Sequence, residues 1–154
     1  ATPGTVSSHS YATEIGKLFP EVTVEEQACP MWVPLVEYGE SNAPGADYFV
    51  EKYTAELMQR DPKIDTIILG CTHYPLLRPK IREALPESVE LISQGELVAS
   101  SLADYLLRHP EMEHRLSQGG EISYRTTECP EKFEELASIF TGTEVRATRV
   151  KITG

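Results

Sequence analysis

The run Thr66-Ile67-Ile68-Leu69-Gly70-Cys71-Thr72-His73-Tyr74-Pro75 constrains this chain more than any other segment. A β-branched apolar stretch that does not alternate with polar residues reads as a strand covered on both faces. It ends in Gly70, and a helical pattern opens at Pro75. A buried strand feeding a helix is the building unit of an α/β fold, and such folds collect ligands at the carboxyl ends of their strands. Cys71 and His73 therefore fall where chemistry is done in this class. A thiol under the amino end of a helix also sits in a field that favours thiolate.

The rest of the chain supplies matching elements. Thr2-Pro3-Gly4-Thr5 reads as a turn, with Thr5 or Ser7 capping a helix through about Leu18. Glu21 to Cys29 reads as a strand, with Val22 and Val24 on one face, ending where Pro30 forces extended backbone. A short apolar helical segment, Val33 to Tyr38, precedes the loop Ser41–Gly45. Ala46 to Arg60 is an amphipathic helix with Phe49, Val50, Tyr53, Leu57 and Met58 inward. After the strand Thr66–Leu69, a helix is expected from Pro75 to Leu85 and a strand from Val89 to Ile92. The turn Ser93–Gly95 follows, and then a helix from Glu96 to Leu107 with Leu97, Val98, Leu102 and Leu106 inward. The polar stretch His109–Gly120 reads as a linker. Beyond it a strand Glu121–Thr126, a helix Glu131–Phe140 and a strand Glu144–Val150 make a β-α-β tail too small to stand alone.

Size and charge narrow the function. The 154 residues make one large domain, or one and a half, and 40% hydrophobic content can fill a core. A formal charge of −10 argues against nucleic-acid or anionic-membrane partners. No apolar run approaches the roughly 20 residues of a membrane span, and no signal peptide is visible at Ala1, which reads as a processed or truncated start. Three widely spaced cysteines, Cys29, Cys71 and Cys129, read as reduced thiols in a cytoplasmic protein. Cys29, just before Pro30, reads as core; Cys129 stands in no motif and reads as structural or exposed.

Cys71 and His73 leave several chemistries open. Acyl transfer needs an oriented His and usually a third group. A phosphatase loop needs its Arg closer to the Cys, in a glycine-rich turn; Arg78 follows Tyr74, Pro75, Leu76 and Leu77 instead. Zinc binding lacks a second ligand pair, so no metal is expected. The remaining option is a thiolate that removes an acidic C–H proton, with His73 assisting. Gly70 allows close approach to the backbone. Thr72 and His73 offer donors where a substrate carboxylate would dock.

Three segments then point to a family. Ile67–Leu77, the segment Gln27-Ala28-Cys29-Pro30-Met31-Trp32-Val33-Pro34-Leu35-Val36-Glu37 and the opening Ala1-Thr2-Pro3-Gly4-Thr5-Val6 together resemble the glutamate racemases, within the aspartate/glutamate racemase superfamily. The resemblance extends more loosely through Leu91–Glu96 and the tail. It implies an α/β fold, a three-layer parallel-sheet sandwich of the aspartate/glutamate racemase type, with one complete domain plus a partial second. Residues 1–92 would be the second domain of that fold. Residues 93–154 would cross back to complete a mostly absent first one.

The resemblance also implies a cofactor-independent, two-thiol interconversion of L- and D-glutamate, which feeds peptidoglycan synthesis, cell-wall biogenesis and cell shape. By it Cys71 is one of the two acid/base thiols, His73 assists it and binds substrate, and Thr72 binds substrate. Glu37 matches a carboxylate that assists catalysis, and Thr2 and Thr5 line the pocket. Members of the family carry an Asp-Ser, a Tyr-Gly and a Cys-Asn-Thr motif in an amino-terminal half, the last bearing the other thiol. The resemblance does not cover that half, and neither Cys29 nor Cys129 stands in a Cys-Asn-Thr context, so the chain alone is expected to be inactive. Two other readings stand beside this one: a non-catalytic binding or assembly module of the same fold that forms homo-oligomers, and a racemase of aspartate or a related acid.

Overall fold

The computed structural model describes residues 1–152, which fall in two compact units, Ala1–Val98 and Ala99 onward. The expected strand Thr66–Leu69 (β1) and the strand Glu90–Ser93 (β2), one residue along from the expected Val89–Ile92, pair in parallel, Thr66 opposite Glu90 and Leu69 opposite Ser93. Between them the chain makes a 3₁₀ turn, Tyr74–Leu77, and a short helix. A parallel pair requires such a crossover, and this is the α/β architecture the sequence announces. The second unit repeats the device. Tyr124–Thr126 (β3) and Ala147–Arg149 (β4) pair in parallel across the helix Pro130–Thr141.

The helices, in chain order, are Pro3–Ser8 (α1), Ser10–Leu18 (α2), Trp32–Glu37 (α3), Pro44–Arg60 (α4), Arg78–Glu83 (α5), Gln94–Arg108 (α6), Pro110–Glu113 (α7) and Pro130–Thr141 (α8). The first expected helix is therefore two. Its cap is Thr2, whose Oγ1 accepts from the Thr5 amide at 3.3 Å, rather than Thr5 or Ser7. His9 breaks it by adopting the left-handed conformation, φ 49°. The polar stretch after His109 is not all linker, because α7 forms within it. The turn expected at Ser93–Gly95 is absent; β2 runs straight into α6.

The core lies in the first unit. On α4, Ala46, Val50, Tyr53 and Thr54 recur at helical spacing and are buried. They join Trp32 and Val36 of α3, Leu77 and Ile81 around the crossover, and Leu69 and Leu91 of the strands. The Trp32 ring meets Tyr74 edge to face at 4.8 Å and donates its indole N–H to the Phe49 carbonyl. Tyr74 is fully buried, and its hydroxyl donates to the Cys29 carbonyl at 3.3 Å. In the second unit Val145 is the only buried apolar side chain among the described residues.

Three expectations fail here. Glu21–Cys29 forms no strand and pairs with none among the described residues. Only its end is held: Ala1 N donates to Gln27 O at 2.7 Å, and Cys29 N donates to Ala1 O at 3.0 Å. Strand β1 is not covered on both faces either: Leu69 is buried, whereas Thr66 and Ile68 are exposed, Ile68 at 38%. On α6, Leu97, Val98 and Leu102 are exposed rather than inward. Periodicity places them on one stripe, but a stripe does not specify its cover.

Burial pushes the Cys29 thiol up from its ordinary 9.0 to about 11, because the charged form is desolvated. The folded state then holds this proton more tightly than the unfolded chain. Its stabilising contribution is complete below pH 9 and is lost as pH rises toward 11, about 2–3 kcal/mol in all. Urea midpoints between pH 8 and 11 should fall along this course, and Cys29→Ala should flatten the decline relative to its own value at pH 8. Tyr74→Phe removes the bond to the Cys29 carbonyl and should cost about 1–2 kcal/mol in the same measurement at pH 7.

Candidate active site

Cys71 leaves β1 just after Gly70, two residues past Leu69. A Cβ built on Gly70 would stand 3.1 Å from the Tyr11 ring and 3.2 Å from the Ala1 methyl. The close approach that glycine permits there is filled by α2 and by Ala1. Ala1 against Gly70 also puts the amino end of α1 beside the Cys71 loop. Thr2 and Thr5 share a hydrogen bond between their hydroxyls at 2.8 Å and close the first turn of α1.

The loop Cys71–His73 takes its shape from Tyr74. That residue is anchored in the core, and its amide donates back to the Cys71 carbonyl at 3.3 Å. The expected helix from Pro75 begins as a 3₁₀ turn, and regular α-helix starts only at Arg78. The helix terminus therefore stands farther from the thiol than the sequence pattern implies. The polar partner at hand is His73.

The imidazole of His73 bridges two groups. Its Nδ1 lies 3.7 Å from Cys71 Sγ, and its Nε2 lies 3.0 Å from Glu37 Oε1. With the Nε2 proton donated to the carboxylate, Nδ1 faces the thiol as an acceptor. Thr72 Oγ1 stands 3.5 Å from the same nitrogen. Glu37, the last residue of α3, is half-exposed, the His73 side chain is 23% exposed, and Cys71 is half-buried. The thiol is thus neither sealed in the core nor loose in solvent.

Sequence positions 36 residues apart meet here because α3 packs on the 3₁₀ turn through Trp32 and Tyr74. Neither aromatic is among the expected site residues, yet together they position the site. Their signal in the sequence is that Trp32 lies inside the motif segment Gln27–Glu37 and Tyr74 inside Ile67–Leu77. Cys29 lies in the core, as expected, and Cys129 is exposed, with its thiol donating to Glu131 at 2.8 Å. Among the described residues, no group of three His, Cys, Asp or Glu side chains is placed to hold a metal ion.

Chemically, a thiol, an imidazole and a carboxylate in line can pass a proton in either direction. The same line also serves an acyl-transfer nucleophile with its base and orienting group. Geometry alone does not choose between them.

Comparison with known proteins narrows the choice. No family model matches the chain. Among solved structures, a glutamate racemase from Francisella tularensis in complex with D-glutamate superposes with a TM-score of 0.81 at 27% identity, over 100% of this chain and 56% of that one. A glutamate racemase isoform from Bacillus anthracis gives 0.79 at 30% identity, over 97% and 55%. The architecture is accordingly the α/β fold of the aspartate/glutamate racemases. In sequence, the chain is 40% identical to the glutamate racemase of Shouchella clausii over 137 residues, 89% of this chain and 48% of that enzyme. It is 40% identical to that of Dinoroseobacter shibae over 140 residues, 91% and 50%. The chain belongs with the glutamate racemases, and it spans about half the length of the curated relatives it matches.

Accessibility and the His73 contact together order the thiols by reactivity. Iodoacetamide at pH 7.5 should modify Cys129 and Cys71 and leave Cys29 intact in the folded chain, as read by peptide mass mapping. Glu37→Gln, which weakens the hold on the imidazole, should slow modification of Cys71 roughly tenfold and leave Cys129 unchanged.

Proposed function

We propose that this chain provides one half of the machinery of a glutamate racemase, the cofactor-independent interconversion of L- and D-glutamate. The observation that carries the reading is the line Cys71–His73–Glu37, set at the end of β1 in a chain homologous to glutamate racemases. Glutamate, rather than aspartate, is assigned from the names of those relatives. The assembled enzyme would work in the cytoplasm and supply D-glutamate for peptidoglycan, hence for wall synthesis and cell shape.

Inversion at Cα needs a base on one face and an acid on the other. Cys71 is assigned to one face. Its thiolate takes the Cα proton, and a second thiol, in the part of the relatives' length this chain does not span, returns a proton to the opposite face. In the reverse direction Cys71 is the donor. His73 accepts from the thiol through Nδ1 and restores the proton to it, and Glu37 keeps the ring turned with Nε2 away from the sulfur. Thr72 and the amide end of the loop meet a substrate carboxylate. Thr2 and Thr5, at the adjoining end of α1, help to close that side. Residues 1–92 serve as the thiol-bearing domain, and residues 93–154 as the segment that completes the other.

Working one face only, the chain by itself should not invert glutamate. Polarimetry of L-glutamate with the purified chain is expected to show less than about a thousandth of the turnover of a full-length relative. Turnover within tenfold of that relative would refute the two-thiol assignment. In a full-length relative, replacing the Cys equivalent to Cys71 by Ser should abolish inversion in both directions.

A further inference from the structure

We infer that Cys71, His73 and Glu37 carry a second activity, the hydrolysis of activated esters and thioesters through an acyl-Cys71 intermediate. Proton exchange with carbon and attack on a carbonyl ask the same things of a thiol: a base at hand and a group that orients the base. Both stand here. His73 Nδ1 lies 3.7 Å from the sulfur, and Glu37 Oε1 lies 3.0 Å from Nε2 on the far side of the ring. Inversion at carbon needs a proton carrier on each face, whereas acyl transfer needs one nucleophile. The second activity therefore stands or falls apart from racemisation.

The reaction balances on these groups and water. The thiol proton passes to Nδ1 as Sγ bonds to the carbonyl carbon, and the carbonyl oxygen takes the displaced electron pair. When that pair returns, the bond to the leaving oxygen or sulfur breaks, and Nδ1 gives its proton to the departing atom. Water then attacks the acyl carbon and loses a proton to Nδ1. The carbon–sulfur bond breaks, the proton returns to Sγ, and the free acid departs.

The oxyanion formed on the way needs donors. Thr72 Oγ1 stands 3.5 Å from the same nitrogen that meets the sulfur, which puts a hydroxyl beside the reacting centre. The amides of Cys71 and Thr72 donate to no acceptor among the described residues, while the Cys71 carbonyl is turned back to accept from the Tyr74 amide at 3.3 Å. A nucleophile's own amide is one of the donors that acyl-transfer enzymes use. Tyr74, fully buried, fixes the loop that carries these groups.

The leaving group sets the substrate class. A tetrahedral intermediate on sulfur expels whichever group departs more readily, and a thiolate departs before an alkoxide or an amine. Attack by Cys71 on an alkyl ester or an amide therefore reverses, and goes forward only with an aryloxide or a thiolate to expel. Space limits the acyl group on one side, where the Tyr11 ring closes on Gly70.

The test is p-nitrophenyl acetate with the whole chain, followed by absorbance of the released p-nitrophenolate, with acid-quenched samples mapped by peptide mass. Release should run past one equivalent per chain, at about a hundred times the rate of Cys71→Ala or more, and acetyl should be found on the Cys71 peptide during turnover. His73→Gln should fall to about the rate of Cys71→Ala, Glu37→Gln should lose about tenfold, and Cys129→Ala should match the parent. Release that stops at one equivalent, with acetyl lodged on Cys71, would mark a reactive thiol without turnover and overturn the inference. So would acetyl found only on Cys129 or on lysines, or release undiminished in Cys71→Ala. The count of equivalents and the site of acetylation are read on the parent chain, so a variant that fails to fold does not leave the question open.

Discussion

Burial of Tyr74 is the constraint on which the site depends. Its ring packs edge-on against Trp32, and its hydroxyl reaches the Cys29 carbonyl, so one side chain ties the Cys71 loop to the segment Cys29–Glu37 at two points. Desolvation raises the pKa of the hydroxyl, so it remains a donor throughout the physiological range. Fixing Tyr74 fixes the loop immediately before it. Fixing Trp32 fixes α3, whose final residue is Glu37. The 3.0 Å contact between Glu37 and His73 is the product of these two anchors, not of any local preference of the loop. An aromatic pair in the core thereby sets the direction of an imidazole near the surface.

The two parallel pairs show how unevenly a core can be shared between similar motifs. In the first unit the crossover drops Leu77 and Ile81 onto α3 and α4, and burial is nearly complete. In the second, α8 and its two strands bury Val145 but leave Ile139 and Phe140 partly exposed. A β-α-β unit has apolar surface on more than one side and needs more than its own helix to cover it. The exposed stripe on α6, Leu97, Val98 and Leu102, belongs to the same account. Such surface is a marker of contact with further polypeptide.

Much of this was legible in the sequence because local chemistry decided it. The apolar run at Thr66–Leu69, the helical stripe of Ala46–Arg60 and the Gly-Cys-Thr-His loop each follow from neighbouring residues. Cys29 was legible as core for the same reason. The segment Glu21–Cys29 was not, because a strand exists only by virtue of a partner and sequence gives the pattern without the pairing. The onset of α5 falls a turn later than the pattern suggests. Two prolines, Pro75 and Pro79, sit four apart, and the ring of the second opposes a regular α-helical bond to the carbonyl at the first. A tighter turn resolves the conflict. The meeting of Glu37 with His73 is tertiary, and only the resemblance to a family placed Glu37 near the site.

Under the proposed function, the line Cys71–His73–Glu37 accounts for pairing a thiol with an imidazole in proton exchange with carbon. A carbon acid gives up its proton only to a base that is desolvated and correctly aimed, and the same atom must later hold a proton to give back. A lone thiol fixed in either state would serve one direction only. An imidazole beside it can take the proton or return it without bulk water. On that reading the carboxylate at Nε2 holds that nitrogen away from the sulfur, and exchange would run through Nδ1. Both contacts lie at hydrogen-bonding distance, 3.0 Å to the carboxylate oxygen and 3.7 Å to the larger sulfur. On the same reading, the half-buried sulfur keeps an open side for the carbon it would reach.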